Sequence, residues 1–214
     1  MKDGYSVLLG FKLVVAVAIV TLGLTVLATE ANADLVIGAQ SVSANAGSTG
    51  NSFEVYLTNT GSSSVDVAAF SFEISTTSSN INLTGATTST TDAYIFGADS
   101  LFGPEIDTST GQTLDASDVF ATPSGSTSIG SGSTFGLGEI SFDVGPGASP
   151  GNYTVSFTPY PSTSLSDPNG NDLTFSSADG TLTVNGTSQV PEPSGLWLVA
   201  SGVAGCLWKR RGMQ

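Results

Sequence analysis

Asp167, Asn169, Asn171 and Asp172 stand together in one short run, Asp-Pro-Asn-Gly-Asn-Asp from 167 to 172, the one oxygen-rich cluster in the chain with metal-ligand spacing. A hard cation such as Ca²⁺ takes about six to eight oxygens, and carboxylates and amides at alternate positions of a tight loop can supply them. The run departs from a helix–loop–helix calcium loop at two places. Asp172 stands where a glycine makes the sharp turn, and Ala178 where a bidentate glutamate closes the shell. The same residues also read as a polar β-turn that needs no ion. A looser acidic run, Asp92, Asp99, Glu105, Asp107, Asp115 and Asp118, carries the same two readings. Ca²⁺ is the single cofactor these residues suggest; no other is expected.

Catalytic chemistry finds little support. The chain has no histidine, which removes the usual general base, the Ser-His-Asp triad and His-ligated zinc. No glycine-rich loop opens a helix, so phosphate cradles go as well. Paired-carboxylate glycoside hydrolysis survives in principle, but fifteen acids between Asp34 and Val190 make chance pairs unavoidable and nothing selects one. The expectation is a protein that is not an enzyme. Asn82-Leu-Thr84, Asn152-Tyr-Thr154 and Asn185-Gly-Thr187 match the glycosylation acceptor and read as coincidence.

Charge divides the chain into three parts. All five basic residues, Lys2, Lys12, Lys209, Arg210 and Arg211, lie in the terminal segments, so residues 34–190 carry no Lys or Arg and a formal charge of −15. Such a surface repels phosphate backbones and anionic head groups, and nucleic acid is excluded as a partner. The single cysteine, Cys206, falls in the C-terminal apolar run. The acidic middle has no disulfide and must rest on a packed core, which about 150 residues can provide.

Both ends read as targeting segments. Lys2 and Lys12 flank the start of an apolar stretch from Leu13 to Leu27, and Ala31-Asn32-Ala33 places small residues where a signal peptidase inspects them; cleavage is expected after Ala33. At the other end Val190-Pro191-Glu192-Pro193 precedes an apolar run from Gly195 to Trp208 and the basic cluster Lys209-Arg210-Arg211. The prolines fix the backbone and remove amide donors, so this segment is an extended, accessible spur. As a helix the following run spans roughly 22 Å. That is short for a ~30 Å hydrocarbon core, a gap that snorkelling of Lys209 and Arg210, interfacial Trp197 and Trp208, and local thinning can close. The positive-inside rule then places residues 34–190 outside the cytoplasm.

Between these ends the apolar period is two. Phe53, Val55 and Leu57 alternate with Glu54, Tyr56 and Thr58; Phe70, Phe72 and Ile74 with Ser71 and Glu73; Ile140, Phe142 and Val144 with Ser141 and Asp143. Tyr153, Val155 and Phe157 repeat the pattern, as do Leu182 and Val184. Turn clusters separate them: Asn59-Thr60-Gly61-Ser62, Gly145-Pro146-Gly147, and Asp179-Gly180, which suits a tight hairpin. The pattern predicts an all-β, antiparallel two-sheet sandwich. Residues 84–132 are the least regular and read as a long inter-strand excursion with one or two short strands. Its apolar islands, Tyr94-Ile95-Phe96 and Leu101-Phe102, are either core plugs or aromatics exposed to a sugar ring. The expected organisation is a signal peptide over 1–33, an ectodomain over 34–186, a linker over 187–194, a transmembrane helix over 195–208 and a basic cytoplasmic tail over 209–214.

Val190-Pro191-Glu192-Pro193, the apolar helix and the terminal basic cluster together resemble the PEP-CTERM sorting signal of Gram-negative bacteria. Trp197, Cys206 and Trp208 are less usual than the family's Leu/Gly/Ala-rich helices, and Gly212-Met213-Gln214 extends past the cluster. The resemblance implies that an exosortase, a membrane-embedded cysteine transpeptidase-like enzyme, takes this chain as its substrate. Signal peptidase and the general secretion machinery are the other expected partners, with the membrane as a transient one and extracellular polysaccharide as a further candidate. The chain is then exported as an inner-membrane-anchored precursor that ends at the cell surface or in the matrix.

The serial order of Asn51–Asn59, Ala69–Ile74, Gly138–Val144, Pro150–Val155, Asp167–Gly170 and Asp179–Val184 is similar to that of the cohesin-like jelly-roll sandwich. In cohesins that fold presents a face to dockerin modules; no motif here fixes such a face. Two roles follow for the ectodomain. One is a non-catalytic surface or matrix protein. The other is an adhesion module that binds glycan or protein, with or without Ca²⁺.

Overall fold

The computed structural model describes residues 35–186, with the backbone alone along 105–109. The expected cleavage site at Ala31 and Ala33, the Val190–Pro193 spur, the 195–208 helix and Lys209, Arg210 and Arg211 lie outside the described residues. Fourteen strands make up the rest: β1 (Leu35–Ala39), β2 (Val42–Asn45), β3 (Asn51–Asn59), β4 (Val65–Val67), β5 (Ala69–Thr76), β6 (Ile81–Thr87), β7 (Glu105–Ser109), β8 (Thr113–Val119), β9 (Thr127–Ile129), β10 (Thr134–Val144), β11 (Gly151–Phe157), β12 (Ser164–Ser166), β13 (Phe175–Ala178) and β14 (Gly180–Asn185). One 3-10 turn, Gly97–Asp99, interrupts them. Among the described residues no helix is long and apolar enough to cross a membrane.

The described residues are all-β and form a two-sheet sandwich. One sheet has five strands in the order β13-β1-β3-β10-β6; the other runs β2-β14-β11-β5-β8-β7, with β12 also paired to β5; β4 and β9 form a separate ribbon. Period-two alternation turns into burial as strand geometry requires. Phe53, Val55 and Leu57 of β3 and Ile140, Phe142 and Val144 of β10 face Phe70, Phe72 and Ile74 of β5, all of them buried in one apolar cluster that runs from Leu35 to Val184. Phe53 and Phe142 pack at 5.7 Å between ring centroids, and Phe70 and Phe72 stack at 5.9 Å.

Pairing is antiparallel except for two ladders. β1 pairs β13 in parallel in the first sheet, and β2 pairs β14 in parallel in the second. The first two strands and the last two therefore change sheets side by side, which closes the sandwich at one end. Asp179-Gly180, which the sequence suggests as a hairpin, is this crossing instead. The reason for glycine is proximity: a Cβ on Gly180 would lie 2.9 Å from the Ala39 carbonyl oxygen and 3.0 Å from the Ala39 Cβ. Asn59-Thr60-Gly61-Ser62 is a turn, and it depends on fully buried Asn59. The Asn59 amide donates to the carbonyls of Ser63 (2.7 Å) and Ile129 (2.8 Å) and accepts from the Gly61 amide (2.9 Å), which ties the turn to β9.

The 84–132 region is more ordered than the expected excursion. It contains β7, β8 and β9, and β8 pairs with β5 along seven registered residues from Ala69↔Val119 to Ser75↔Thr113. Its inward positions are Leu114, Ala116 and Asp118. One small residue and one carboxylate hide the alternation that an apolar search looks for.

Candidate functional site

A groove of about 560 Å³ opens between Phe157–Tyr160, which leave β11, and Asp172–Ser177, which lead into β13. It lies where β13 ends the five-stranded sheet, with no further strand on that side among the described residues. Phe157, Leu173 and Phe175 are left half-buried against the core, and Tyr160 stands 65% exposed. Both walls are held from behind. The Thr158 amide donates to the Glu73 carbonyl (2.8 Å) and its hydroxyl to Glu73 Oε1 (2.7 Å), while the Glu73 amide reaches the buried Thr163 hydroxyl at 3.4 Å. On the other wall the Leu173 amide donates to the Leu165 carbonyl in β12 (2.9 Å). The volume falls within the ~300–1,000 Å³ range of small-molecule sites.

The 167–172 loop adjoins this groove through Asp172 and is organised around Asp167. Asp167 Oδ1 accepts the amides of Asn169 and Asn171, both at 2.8 Å, and Oδ2 accepts the Asn171 side-chain amide at 2.9 Å. The Asp167 amide donates to the Asn171 carbonyl and the Gly170 amide to the Asp167 carbonyl, each at 3.0 Å. The Asn171 side chain first, then its backbone amide and Asn169, holds the Asp167 carboxyl below the usual carboxylate range. In this geometry Asn171 offers nitrogen rather than oxygen to Asp167. Among the described residues no group of three or more acids or cysteines is arranged to hold a metal.

Acids of the looser run separate by environment. Asp118, 3% exposed, accepts four hydrogen bonds: the Tyr94 hydroxyl (2.7 Å) and Ser100 hydroxyl (2.6 Å) on Oδ2, and the amides of Phe102 (3.1 Å) and Val119 (2.8 Å) on Oδ1. Burial first, then the Asp118 carboxylate, pushes the Tyr94 phenol far above its ordinary value. The two apolar islands divide accordingly. Ile95 and Phe96 are core plugs, with Phe96 packed on Phe70 and Phe120, whereas Leu101 and Phe102 are 50% and 62% exposed.

Glu54 and Glu139 sit opposite each other on β3 and β10. Residues 93–95 bond to Gly136, and just before them the Asp92 amide donates to Glu54 Oε1 at 3.2 Å; Glu54 is only 4% exposed at the edge of a recess that also includes Gln40, Tyr56 and Asp92. Gly136 has no room for a side chain, since a Cβ would meet Glu54 Oε1 at 2.6 Å. Burial raises the Glu54 carboxyl above its ordinary range; its acceptance of the Asp92 amide opposes this, and the charges of Asp92 and Glu139 add to it. Glu139 Oε2 is buried without a hydrogen-bond partner. A folded-state pKa above the unfolded value favours the neutral acid, so Glu54 stabilises the fold in acid and the gain is lost as pH rises through the raised value. Glu54→Gln is therefore expected to raise the urea midpoint at pH 7, with the advantage fading as pH falls through the raised value and gone below about 4. A midpoint difference that is constant from pH 3 to 8 would contradict this.

These features define a β-sandwich ectodomain ahead of a sorting tail. Residues 189–211 match the PEP-CTERM protein-sorting motif. No curated protein matches the chain. The sandwich is cohesin-like. It is similar to a non-cellulosomal cohesin from the hyperthermophilic archaeon Archaeoglobus fulgidus (14% identity, 73% of this chain and 95% of that chain, TM-score 0.51). It is also similar to the seventh ScaB type I cohesin from Pseudobacteroides cellulosolvens (15% identity, 75% and 97%, TM-score 0.52). A third likeness is to the third cohesin ScaC of Acetivibrio cellulolyticus, solved in complex with the ScaB dockerin (21% identity, 70% and 98%, TM-score 0.53). At these identities the likeness concerns the fold.

Sequence reasoning missed the groove. Its available signal was Pro159-Tyr160-Pro161, an aromatic between two prolines just beyond the alternating run of β11, where the tyrosine cannot continue the strand inward.

Proposed function

We propose that this protein is an exported, non-catalytic surface or matrix component of a Gram-negative cell, delivered as a membrane-anchored precursor and released from its tail by an exosortase. The observation that carries this reading is the sorting motif at 189–211 behind a domain with an apolar cluster drawn from residues between Leu35 and Val184. Signal peptidase acts at the other end, after Ala33. The acids of the sandwich keep it soluble and repel phosphate and anionic lipid.

The test is the intact mass of the mature protein taken from the envelope and the medium. The expected species begins at Asp34 and ends upstream of the apolar run at 195–208. A mature species that still reaches Gln214 would remove the exosortase from the account.

A second reading adds a binding task, and the groove beside Tyr160 favours it. An adhesion module for glycan or protein would use the sandwich as a rigid frame and that groove as its contact. Support comes from the exposed Tyr160 side chain at the end of one wall and from the anchoring of the two walls to Glu73 and β12. Calcium remains a candidate ligand of Asp167, Asn169, Asn171 and Asp172, and its binding requires the two asparagine side chains to turn their oxygens toward the ion.

A further inference from the structure

The geometry points to a subsite for an uncharged polysaccharide in the groove between Phe157–Tyr160 and Asp172–Ser177. This rests on the binding-module reading and names its ligand class and its residues. A sugar ring has one face of C–H groups and a rim of hydroxyls. The groove supplies the complement: the exposed Tyr160 ring, an apolar floor at Phe157, Leu173 and Phe175, and polar groups at Thr158, Ser176 and Asp172. Aromatic faces carry negative charge density and attract C–H edges, while the polar tip of tyrosine tolerates water. Hydroxyls accept from or donate to sugar hydroxyls, a carboxylate accepts from them, and a few such groups around an apolar surface fix orientation.

Charge selects the kind of sugar. With no Lys or Arg between residues 34 and 190 and a formal charge of −15, the domain repels uronates, sulfates and phosphates, and no cation is present to receive them. Neutral hexose chains meet no such penalty. An extended polypeptide fits less well. The strand it would join, β13, has four residues, Phe-Ser-Ser-Ala, with Ser176 and Ser177 both exposed. That pattern offers no alternating pockets by which an added strand is selected. A second copy of the domain brings the same negative charge to the contact.

The test is calorimetric titration of the full chain in a non-glycosidic detergent, with residues 34–186 in parallel, against neutral glucan and mannan hexamers and against uronic-acid hexamers. Saturable binding of a neutral hexamer is expected, with none for the uronates. Tyr160→Ala should weaken it about tenfold or more, whereas Tyr160→Phe, which keeps the ring, should stay within about threefold of wild type. Near-ultraviolet circular dichroism checks that each variant remains folded. Glycan binding that Tyr160→Ala leaves unchanged overturns the groove assignment while the binding reading stands. Silence toward all the neutral hexamers overturns the proposal. Preference for uronates, or a peptide array that binds through Tyr160 instead, also overturns it.

Discussion

Replacing Asp118 with alanine is expected to destabilise the sandwich by about 3 kcal/mol, because four donors lose the acceptor around which they are arranged. The carboxylate lies in the interior, on β8, with no cation anywhere in the acidic domain to offset it. Neutral donors alone satisfy it. The hydroxyls of Tyr94 and Ser100 can rotate toward other acceptors, but the Phe102 and Val119 amides are fixed by the backbone, and a buried unpaired amide costs roughly 1–3 kcal/mol. Asp118 is also one of the points that hold the loop from Tyr94 to Gly103, since the Gly103 amide bonds in turn to the Ser100 hydroxyl at 2.8 Å. Loss of Asp118 therefore loosens the loop as well as the core. Asp118→Asn retains one acceptor oxygen and presents an amide to the other pair of donors, so an intermediate loss is expected. Urea unfolding checks both: the midpoint should fall in the order wild type, Asn, Ala. An unfolding free energy for Asp118→Ala within about 0.5 kcal/mol of wild type would show that the buried carboxylate is not needed.

Much of this architecture was legible in the sequence wherever inward positions carry large apolar side chains. β3, β5 and β10 follow directly from Phe53, Phe72 and Phe142 and their alternating neighbours. β8 was not legible, because Ala116 and Asp118 occupy inward positions that period-two reading assigns to large apolar residues. The paired sheet-changing strands also escaped. Asp-Gly is a strong local hairpin signal, yet the glycine at 180 answers to a distant chain, Ala39, and a local signal cannot report a contact made across 141 positions of sequence. The groove escaped for a similar reason. Tyr160 and Phe175 become neighbours of one cavity only once β11 and β13 are placed in different sheets. Asp167 and its asparagines show the converse: their spacing is equally that of ion ligands and of a self-bonded turn, and only the orientation of the amides distinguishes the two.

The tail carries the largest expected effect of any substitution in the chain. In Pro191-Glu192-Pro193 the prolines restrict φ to near −65° and lack amide hydrogens, so the sequence predicts a segment that does not join a helix over 195–208 and is accessible to an enzyme. Alanine is the best helix former, with a preference of about 3 kcal/mol per residue over proline in a helix interior. Replacement of all three residues is expected to let the helix predicted from the sequence begin near position 191 and run to Trp208, about 27 Å at 1.5 Å per residue, close to the hydrocarbon thickness. The same change removes the recognised spur and lengthens the anchor. Both effects act in one direction, toward retention.

Pulse-chase labelling of the Pro191-Glu192-Pro193→Ala variant beside the wild type, with inner membrane, envelope and medium separated, tests the sorting claim most directly. The wild type should convert to the shorter form and leave the inner membrane, while the variant should accumulate there at full precursor length apart from its signal peptide. Trimming and release of the variant at the wild-type rate would contradict the claim that residues 189–211 direct this protein's processing.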